Sequence, residues 1–217
     1  MEFSRTLDLE VNAFVQRLAI AVHARAVPWI RDVVPALGGL ALHFDAAHPG
    51  LPPDGLKAAA DVIEQCLKAG LPKEADLVRT VEVPVCYAPE FAPDIDEISK
   101  KLGIPVEEIA ALHAAAKYRV LMIGFAPGHA YMGGLDPKLA VPRRATPRAV
   151  VPAGAVAIAN EQTVIYPYAI SGGWNVIGRT PLVIFDATRQ EPSLFGPGDR
   201  VRFRAITREE FARLEKR

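Results

Sequence analysis

A series of short β segments that begins at Tyr118 constrains the fold more than any other feature of this sequence. Turns rich in Pro and Gly separate six apolar or alternating stretches, which read YRVLMIGF, AVAIA, TVIYP, WNVIG, LVIF and RVRFRAI. Many short strands with such turns are typical of a β-barrel or a β-sandwich. We therefore predict a β-barrel over residues 118–217 that ends in a capped helix at Thr207–Arg217.

The residues before Tyr118 show helix and strand patterns in turn. Helical spacing of apolar residues predicts helices at 11–22 and 56–67, and short apolar or alternating runs predict strands at 30–34, 40–44 and 81–85. This order is that of a ferredoxin-like βαββαβ unit without its first strand. We expect either a truncated first strand or another chain that covers the exposed sheet edge.

The predicted organisation is therefore α+β, with two domains and a connector. A ferredoxin-like domain with a truncated first strand is expected over residues 1–88, and the barrel domain over residues 118–217. Two short helices, Asp94–Lys101 and Val106–Ala116, are expected to form a helical connector over residues 89–117.

Composition argues against several classes of protein. The 217 residues carry 25 basic and 25 acidic side chains, so the basic excess of proteins that bind nucleic acid or acidic membranes is missing. No run approaches the ~20 apolar residues of a membrane span, and the first residues do not resemble a signal peptide, so we expect a cytoplasmic protein. Cys66 and Cys86 form no CxxC pair, which indicates neither a disulfide framework nor a metal site.

Proline and glycine are concentrated in one region of the chain. Of the 16 Gly and 19 Pro residues, 19 lie between Gly124 and Gly198. From Gly124 to Pro181 the charge is +3, from Lys138, Arg143, Arg144, Arg148 and Arg179 against Asp136 and Glu161. Arginine binds carboxylates and phosphates through paired hydrogen bonds, and glycine turns let backbone N–H groups approach the same oxygens. This pattern favours an anionic ligand; the alternative is turn-forming Pro and Gly with solvated arginines.

The arginines differ in their expected roles. Arg143 and Arg144 lie between two prolines, which restrict the backbone and so direct the side chains. We expect at least one of them to bind an anion, with a solvated or inter-domain salt bridge as the alternative. Arg148 is expected to be structural or interfacial, whereas Arg179 follows a predicted strand and is a candidate to face the pocket.

Neutral and aromatic groups complete the candidate site. Gln162 and Tyr166 flank an alternating strand and are expected to point into one cleft, where they would bind an amide-like substrate. Gly172 and Gly173 form a turn before Trp174, which offers an apolar wall for a small ring or a partner chain. Ordinary packing of the strand face and the core is the competing interpretation.

Other catalytic patterns are weak in this sequence. His129 could serve as a general base because histidine ordinarily has a pKa of about 6.5, whereas His113, on a predicted helix, is expected in the core or at the surface. The sequence contains no GxxxxGK[ST] phosphate loop, no GxSxG element and no close carboxylate pair in the Gly124–Pro181 region. We therefore do not expect a self-sufficient hydrolase.

The run from Gly124 to Pro181 resembles a known family: GFAPGHAYMGGLDPKLAVPRRATPRAVVPAGAVAIANEQTVIYP, followed by GGWNVIGRTP. It is similar to the B subunit of 5-oxoprolinase, also called allophanate hydrolase subunit 1, a family that includes the Kip-type inhibitors of a sporulation sensor kinase. The segments VEVPVCY, EFAPDIDEISKKLGIPVEEIAALHAAAKYRV and FGPGDRVRF extend the resemblance. This chain departs from the family pattern at His129, where the family usually has Phe, at Val164, and at Ile170 and Ser171.

The resemblance implies a ferredoxin-like domain followed by a cyclophilin-like β-barrel. It also implies one component of an ATP-dependent enzyme that converts 5-oxo-L-proline to L-glutamate, with ATP at a site shared with the partner A and C subunits of 5-oxoprolinase. Expected catalytic residues are Arg143, Arg144 and Gln162, and expected substrate-binding residues are Tyr166, Gly172, Gly173, Trp174 and Arg179. Inhibition of a sensor histidine kinase and a role beside a urea carboxylase are the alternatives.

Overall fold

The computed structural model describes residues 1–73 and 79–216. The chain divides into two units, residues 1–78 and 79–217. Among the described residues, none of the helices has the length and apolar character that crossing a bilayer requires.

Two helices and an antiparallel strand pair form the first unit. These elements are α1 (Leu9–Ala24), β1 (Ile30–Pro35), β2 (Leu40–Phe44) and α2 (Gly55–Ala69). Helix α1 begins where the Asp8 carboxylate accepts hydrogen bonds from two backbone N–H groups, and Asp54 caps α2 through Lys57 N–H. The helices bury their apolar faces in one core, which contains Val15, Leu18, Val22, Trp29, Val62 and Ile63. The helical and strand patterns read from this part of the sequence therefore correspond to real elements.

The first residues of the chain lie beside β2. Glu2 forms a single antiparallel bridge with Gly39. The terminal amino group of Met1 donates to Leu40 O at 2.8 Å, and Leu40 N–H donates to Met1 O at 2.9 Å. One bridge occupies the place where the expected truncated strand would lie.

Seven strands of the second unit form one sheet. They are β3 (Thr80–Val85), β4 (Tyr118–Ile123), β5 (Ala130–Gly133), β7 (Ala155–Ala159), β8 (Gln162–Ile165), β10 (Asn175–Arg179) and β11 (Arg200–Ala205), in the order β10-β7-β8-β5-β4-β11-β3. The two edges meet where Cys86 and Arg179 exchange backbone hydrogen bonds of 2.9 and 3.0 Å. The sheet is therefore a nearly closed barrel, as the short strands predict.

Strand β3 belongs to this barrel and not to the first unit. It pairs in parallel with β11, from Thr80 opposite Arg200 to Val85 opposite Ala205. The sequence predicts the strand correctly, but its assignment to a ferredoxin-like unit is wrong, and that arrangement is not found among the described residues. Alternating valines favour a strand without identifying its partner, and the partner here is more than a hundred residues away.

The barrel has two differently covered faces. Helices α3 (Ile95–Leu102) and α4 (Val106–Ala115) pack on one face through Ile95, Ile98 and Ile109. The predicted connector helices are thus part of the second unit. The other face, here called the β6–β9 face, lies beneath the paired strands β6 (Arg148–Val151) and β9 (Ile170–Gly172). Successive residues of a strand point to opposite faces, so residues 162, 164 and 166 share the β6–β9 face.

A buried hydrogen-bond chain joins α4 to the barrel. Thr163 Oγ1 donates to Ala157 O at 3.0 Å, so it accepts from His113 Nε2–H at 3.0 Å. His113 Nδ1 then accepts from the Tyr87 hydroxyl at 2.8 Å. Burial lowers the pKa of His113 to about 3, which keeps the imidazole neutral and suited to this chain of bonds. His113 is a core residue, one of the two positions expected from the sequence.

Removing the donor of this chain should destabilise the protein. Tyr87→Phe leaves His113 Nδ1 buried without its partner, and we expect the free energy of unfolding to fall by roughly 1–3 kcal/mol. Urea denaturation measures the change. Tyr168→Phe is the matched control because Tyr168 is 37% exposed; equal stability of the two variants would contradict the role of the chain.

Candidate functional site

Asp94 is a carboxylate, 2% exposed, that two arginines of the charged region share. Arg148 donates through Nη1 and Nη2 to its two oxygens at 2.8 and 2.7 Å, and Arg144 Nη1 donates at 2.5 Å. Oδ2 also accepts the backbone N–H of Val176 at 2.6 Å. Asp94 stands at the N-cap of α3, yet its side chain makes no capping bond, because these four donors occupy its oxygens.

The ion pairs with Asp94 involve two of the arginines that give the Gly124–Pro181 region its positive charge. The hydrogen bond to Asp94 raises the pKa of Arg148. Arg144 has a second anionic neighbour, since its Nη1 lies 3.7 Å from a carboxylate oxygen of Glu97. Charged groups this buried require such compensation. Arg144 and Arg148 thus already have anionic partners within the chain, the salt-bridge alternative for Arg144.

Arg179 also has partners within the chain. Its Nε donates to Ala153 O at 2.9 Å, and its Nη2 lies 3.8 Å from a carboxylate oxygen of Glu215 in α5 (Arg208–Glu215). Its guanidinium carbon lies 5.7 Å from the ring centroid of Phe211 and 6.0 Å from that of Phe91. Arg179 therefore packs at the C-terminal helix, at the end of β10 that is remote from Trp174.

Arg143 differs from the other three arginines. Its side chain is exposed, and its guanidinium carbon lies 5.5 Å from the ring centroid of Trp174. This distance corresponds to a cation–π contact. Arg143 forms no ion pair with any residue in the described ranges 1–73 and 79–216. It is therefore the exposed arginine of this cluster, and its guanidinium group stacks on Trp174.

The backbone around Arg143 is held on both sides. Asn175 Nδ2 donates to Pro142 O at 2.9 Å, and Arg144 N–H donates to Gly173 O at 2.8 Å. The loop that carries Arg143 is therefore tied to the turn that carries Trp174.

An aromatic cluster extends from Trp174 across the β6–β9 face. The centroid of the Tyr131 ring lies 5.9 Å from that of Trp174 and 4.9 Å from that of His129. His129 also contacts Tyr166 at 5.4 Å and Phe125 at 5.5 Å. Strands β5 and β8 pair side by side, which brings the rings that they carry together. These rings and Arg143 define the candidate site.

Two tyrosine hydroxyls face the charge of Arg143. Burial raises the pKa of Tyr131, and the positive charge of Arg143 partly opposes this rise. Burial likewise raises the pKa of Tyr166, against a hydrogen bond from the Trp174 backbone and the charge of Arg143. Both phenols are protonated and uncharged at neutral pH, and the charge of Arg148 also acts on Tyr166.

Two further polar atoms on this face have no partner. Nε2 of Gln162 and Nδ1 of His129 are buried, and neither makes a hydrogen bond within the described part of the chain. Buried polar atoms without partners are uncommon in folded proteins and call for an explanation such as a ligand or water. Gln162 and Tyr166 lie on the same face, in agreement with the expectation from strand alternation.

Gly172 allows the site to close over Tyr166. A Cβ atom at Gly172 would lie 2.1 Å from the Tyr166 hydroxyl, so no larger residue fits there without movement. Trp174 is 5% exposed and packs with Tyr166 and Val176 in the core of this face. It is a wall of the site and a core residue at once.

His129 does not have the properties of a general base at neutral pH. It is 2% exposed, and burial lowers its pKa to about 4. An efficient base has a pKa near the working pH. His129 is therefore a neutral group within the aromatic cluster.

Asp94 and Tyr131 are not among the site residues expected from the sequence. Asp before an apolar helix indicates a capping residue, and this signal conceals the tertiary role of Asp94. Tyr131 lies between buried Ala130 and Met132, so strand alternation could have placed it opposite the core with Gln162 and Tyr166.

The described residues fit neither a metal nor a complete nucleotide site. No group of three or more His, Cys, Asp or Glu side chains within them could hold a metal ion. In the glycine-containing loop before β5, Gly124 N–H bonds to His129 O at 3.1 Å and His129 N–H to Ala126 O at 3.0 Å. Because these N–H groups and the guanidinium groups of Arg144 and Arg148 are already occupied, the described residues alone do not fit a triphosphate.

Comparison with known proteins identifies relatives over nearly the whole chain. The family model for the carboxyltransferase domain, subdomain C and D, matches residues 1–195. A Bacillus subtilis protein named as the B subunit of 5-oxoprolinase is 33% identical over 217 residues, which cover 97% of this chain and 90% of that protein.

Solved structures share the fold. TTHA0988 matches with a TM-score of 0.82 and 34% identity over 95% of this chain, which spans 39% of the TTHA0988 chain. The Kluyveromyces lactis urea amidolyase matches with a TM-score of 0.73 and 20% identity, over 98% of this chain and 14% of its own. The second likeness concerns the fold alone.

The two buried histidines should make stability depend on pH. The pKa of His129 is about 4 and that of His113 about 3 in the folded protein, against an ordinary value of about 6.5. The unfolded chain therefore binds more protons as the pH falls from about 6.5 to about 4, and the free energy of unfolding falls with it.

His129→Phe should weaken this dependence by up to ~1.4 kcal/mol per pH unit, because it removes one of the titrating groups. Urea denaturation at a series of pH values measures the slope. Leu56→Ala, at a position that is 77% exposed, is the control; it removes no titrating group and should keep the wild-type slope. An unchanged slope in His129→Phe would show that His129 is not buried in its neutral form.

Proposed function

The chain belongs to the family of the carboxyltransferase domain, subdomain C and D, and we propose that it is the B subunit of an ATP-dependent 5-oxoprolinase. The Bacillus subtilis relative, of which 90% aligns with this chain, bears that name. The reaction converts 5-oxo-L-proline, ATP and two molecules of water to L-glutamate, ADP and phosphate; one water opens the lactam and the second balances the release of phosphate from ATP. The oxygen of water joins the lactam carbonyl carbon, the ring C–N bond breaks, and the nitrogen becomes the amino group of glutamate.

The observation that carries this proposal is the position of Arg143 on Trp174 beside Tyr131 and Tyr166. There one exposed guanidinium lies near the half-buried, uncharged phenol of Tyr131, and Tyr166, which is 1% exposed, packs in the same cluster. 5-Oxoproline is small and has one carboxylate and one neutral amide, which match one cation and neutral donors in number and kind.

In this proposal Arg143 binds the substrate carboxylate through two parallel hydrogen bonds. The hydroxyl of Tyr131 donates to the lactam oxygen, and its bond strengthens as negative charge develops on that oxygen during attack by water. Tyr166, which is 1% exposed, supports the site from within the packed cluster. The unpartnered amide of Gln162 completes the polar lining. Trp174 supports the guanidinium of Arg143 through the cation–π contact.

The other residues expected from the sequence take supporting roles. Arg144 orients the loop through Asp94, and Arg179 stabilises the C-terminal helix. Gly172 makes room for the Tyr166 hydroxyl, and Gly173 holds Arg144 N–H. These two arginines therefore leave the set of proposed ligands.

Partner subunits complete the active site in this proposal. We propose that ATP binds at a site completed by the A and C subunits of the enzyme, since the described residues do not fit a triphosphate alone. The same partners would supply the base that activates water. We further propose that the barrel is cyclophilin-like, as the family resemblance implies.

Two alternatives can be distinguished by experiment. The first is docking of a sensor kinase on an apolar patch around Trp174 and Tyr168, of which Trp174 is 5% and Tyr168 37% exposed. A role in urea or allophanate chemistry is consistent with the fold shared with urea amidolyase. Assays with urea and allophanate therefore belong beside those with 5-oxoproline.

The central test is glutamate release from 5-oxoproline and ATP by the chain co-expressed with candidate A and C subunits. Arg143→Ala should lower kcat/KM by roughly 10- to 100-fold, mainly through KM, because a charge-assisted hydrogen-bond pair of about 1.5–3 kcal/mol is lost. Arg189→Ala is the control; it removes a half-exposed arginine of the same unit that pairs with Asp186.

Wild-type kinetics in Arg143→Ala would refute the assignment of this residue. Turnover of urea or allophanate, with none of 5-oxoproline, would refute the proposed substrate. Capture of a sensor kinase without any turnover would favour the inhibitor alternative.

A further inference from the structure

We infer that Asp94 is a positioning residue that holds Arg143 and Trp174 in their ligand-binding arrangement without itself contacting the ligand. The inference rests on the proposed function for the identity of the ligand. Its structural part, the link between Asp94 and the Arg143–Trp174 contact, rests on geometry alone.

One carboxylate connects the two sides of the cation–π contact. Asp94 binds the guanidinium of Arg144, the residue next to Arg143. It also binds the backbone N–H of Val176, in the strand that begins directly after Trp174. A displacement of either segment therefore breaks a bond to the same carboxylate.

Asp94 also anchors the strands that cover the face. Arg148, which donates two hydrogen bonds to Asp94, is the first residue of β6. In β6 it pairs with Gly172 of β9, the residue that lies against the Tyr166 hydroxyl. The loop that carries Arg143, the turn that carries Trp174 and the paired strands β6 and β9 are thus all bonded, directly or through one residue, to Asp94.

The charge of Asp94 compensates two largely buried cations. Arg144 and Arg148 have 27% and 28% of their side chains exposed, and Arg144 Nε has no hydrogen-bond partner among the described residues. Without the negative charge of Asp94, the exposed Glu97 carboxylate, 3.7 Å from Arg144, would be the remaining anionic neighbour of two largely buried guanidinium groups. They would move toward solvent and carry the Arg143 loop with them.

Asp94→Asn is the variant that separates charge from shape. The amide is nearly isosteric with the carboxylate, yet its NH₂ group cannot accept the hydrogen bonds that the guanidinium groups and Val176 N–H donate. The matched control is Asp199→Asn. Asp199 is 7% exposed, binds Arg79 Nη2 at 2.6 Å and Gly196 N–H at 2.8 Å, and lies beside β11, away from the site.

The first measurement reports the geometry without any ligand. The chain has two tryptophans, so in a Trp29→Phe background the fluorescence comes from Trp174 alone. We expect Asp94→Asn to increase acrylamide quenching of Trp174 and to shift its emission to longer wavelength. Asp199→Asn should lower stability without either change, and Arg148→Lys, which keeps the charge but loses the paired bonds, should show a smaller change than Asp94→Asn.

The second measurement is a double-mutant cycle on KM for 5-oxoproline in the co-expressed complex. Asp94→Asn should raise KM nearly as much as Arg143→Ala and change kcat less. Because Asp94 acts through Arg143, combining the two variants should raise KM little beyond Arg143→Ala alone. Asp199→Asn should leave KM at the wild-type value in both backgrounds.

The outcomes decide the inference separately from the proposed function. Unchanged Trp174 fluorescence in folded Asp94→Asn, or multiplied effects of Asp94→Asn and Arg143→Ala on KM, would overturn it. If Asp94→Asn does not fold, the fluorescence of Arg148→Lys decides in the same way. Altered fluorescence in a complex that shows no 5-oxoprolinase activity in any variant would support the positioning role and refute the proposed function.

Discussion

A buried carboxylate requires hydrogen-bond donors, and Asp94 obtains them from three segments that are distant from it in sequence. The two arginines come from one loop and the following strand, and Val176 N–H comes from an edge strand of the barrel. Asp94 N–H also donates to Val176 O at 3.1 Å, so this residue continues the strand pairing close to the point where the two sheet edges meet. The same residue thus bonds to an edge strand of the barrel and, through Arg144, to the loop that carries Arg143.

The β6–β9 face combines burial with a small number of polar groups. Ala155, Ala157 and Ala159 line β7 on this face, and their small side chains leave space for the rings of Tyr131 and Tyr166. Burial favours the neutral forms of Tyr131, Tyr166 and His129. None of these three side chains therefore adds a charge beside Arg143. A low-dielectric surface with one presented cation is suited to a small anion that also has a neutral polar end.

The parts of the fold that depend on local pattern could be predicted from the sequence. Helical spacing located the helices around Leu18 and Ile63, and strand alternation placed Gln162 and Tyr166 on one face. The site was predictable only in its neighbourhood. Residue type and spacing grouped Arg143, Arg144 and Arg179 as anion ligands, whereas the structure pairs two of them with carboxylates, because charge pairing depends on long-range contacts that spacing does not encode.

The sequence by itself determined the short strands of the barrel, the concentration of glycine and proline in one region, and the positive charge within it. These properties follow from residue type and nearest neighbours, and the family motif is written in them. Only the tertiary structure decided that β3 pairs with β11, that Asp94 binds Arg144 and Arg148, and that Arg143 is presented on Trp174. The physical reason is that strand pairing and compensation of buried charge join residues from distant parts of the chain, and the outcome depends on which partners folding brings within hydrogen-bond distance.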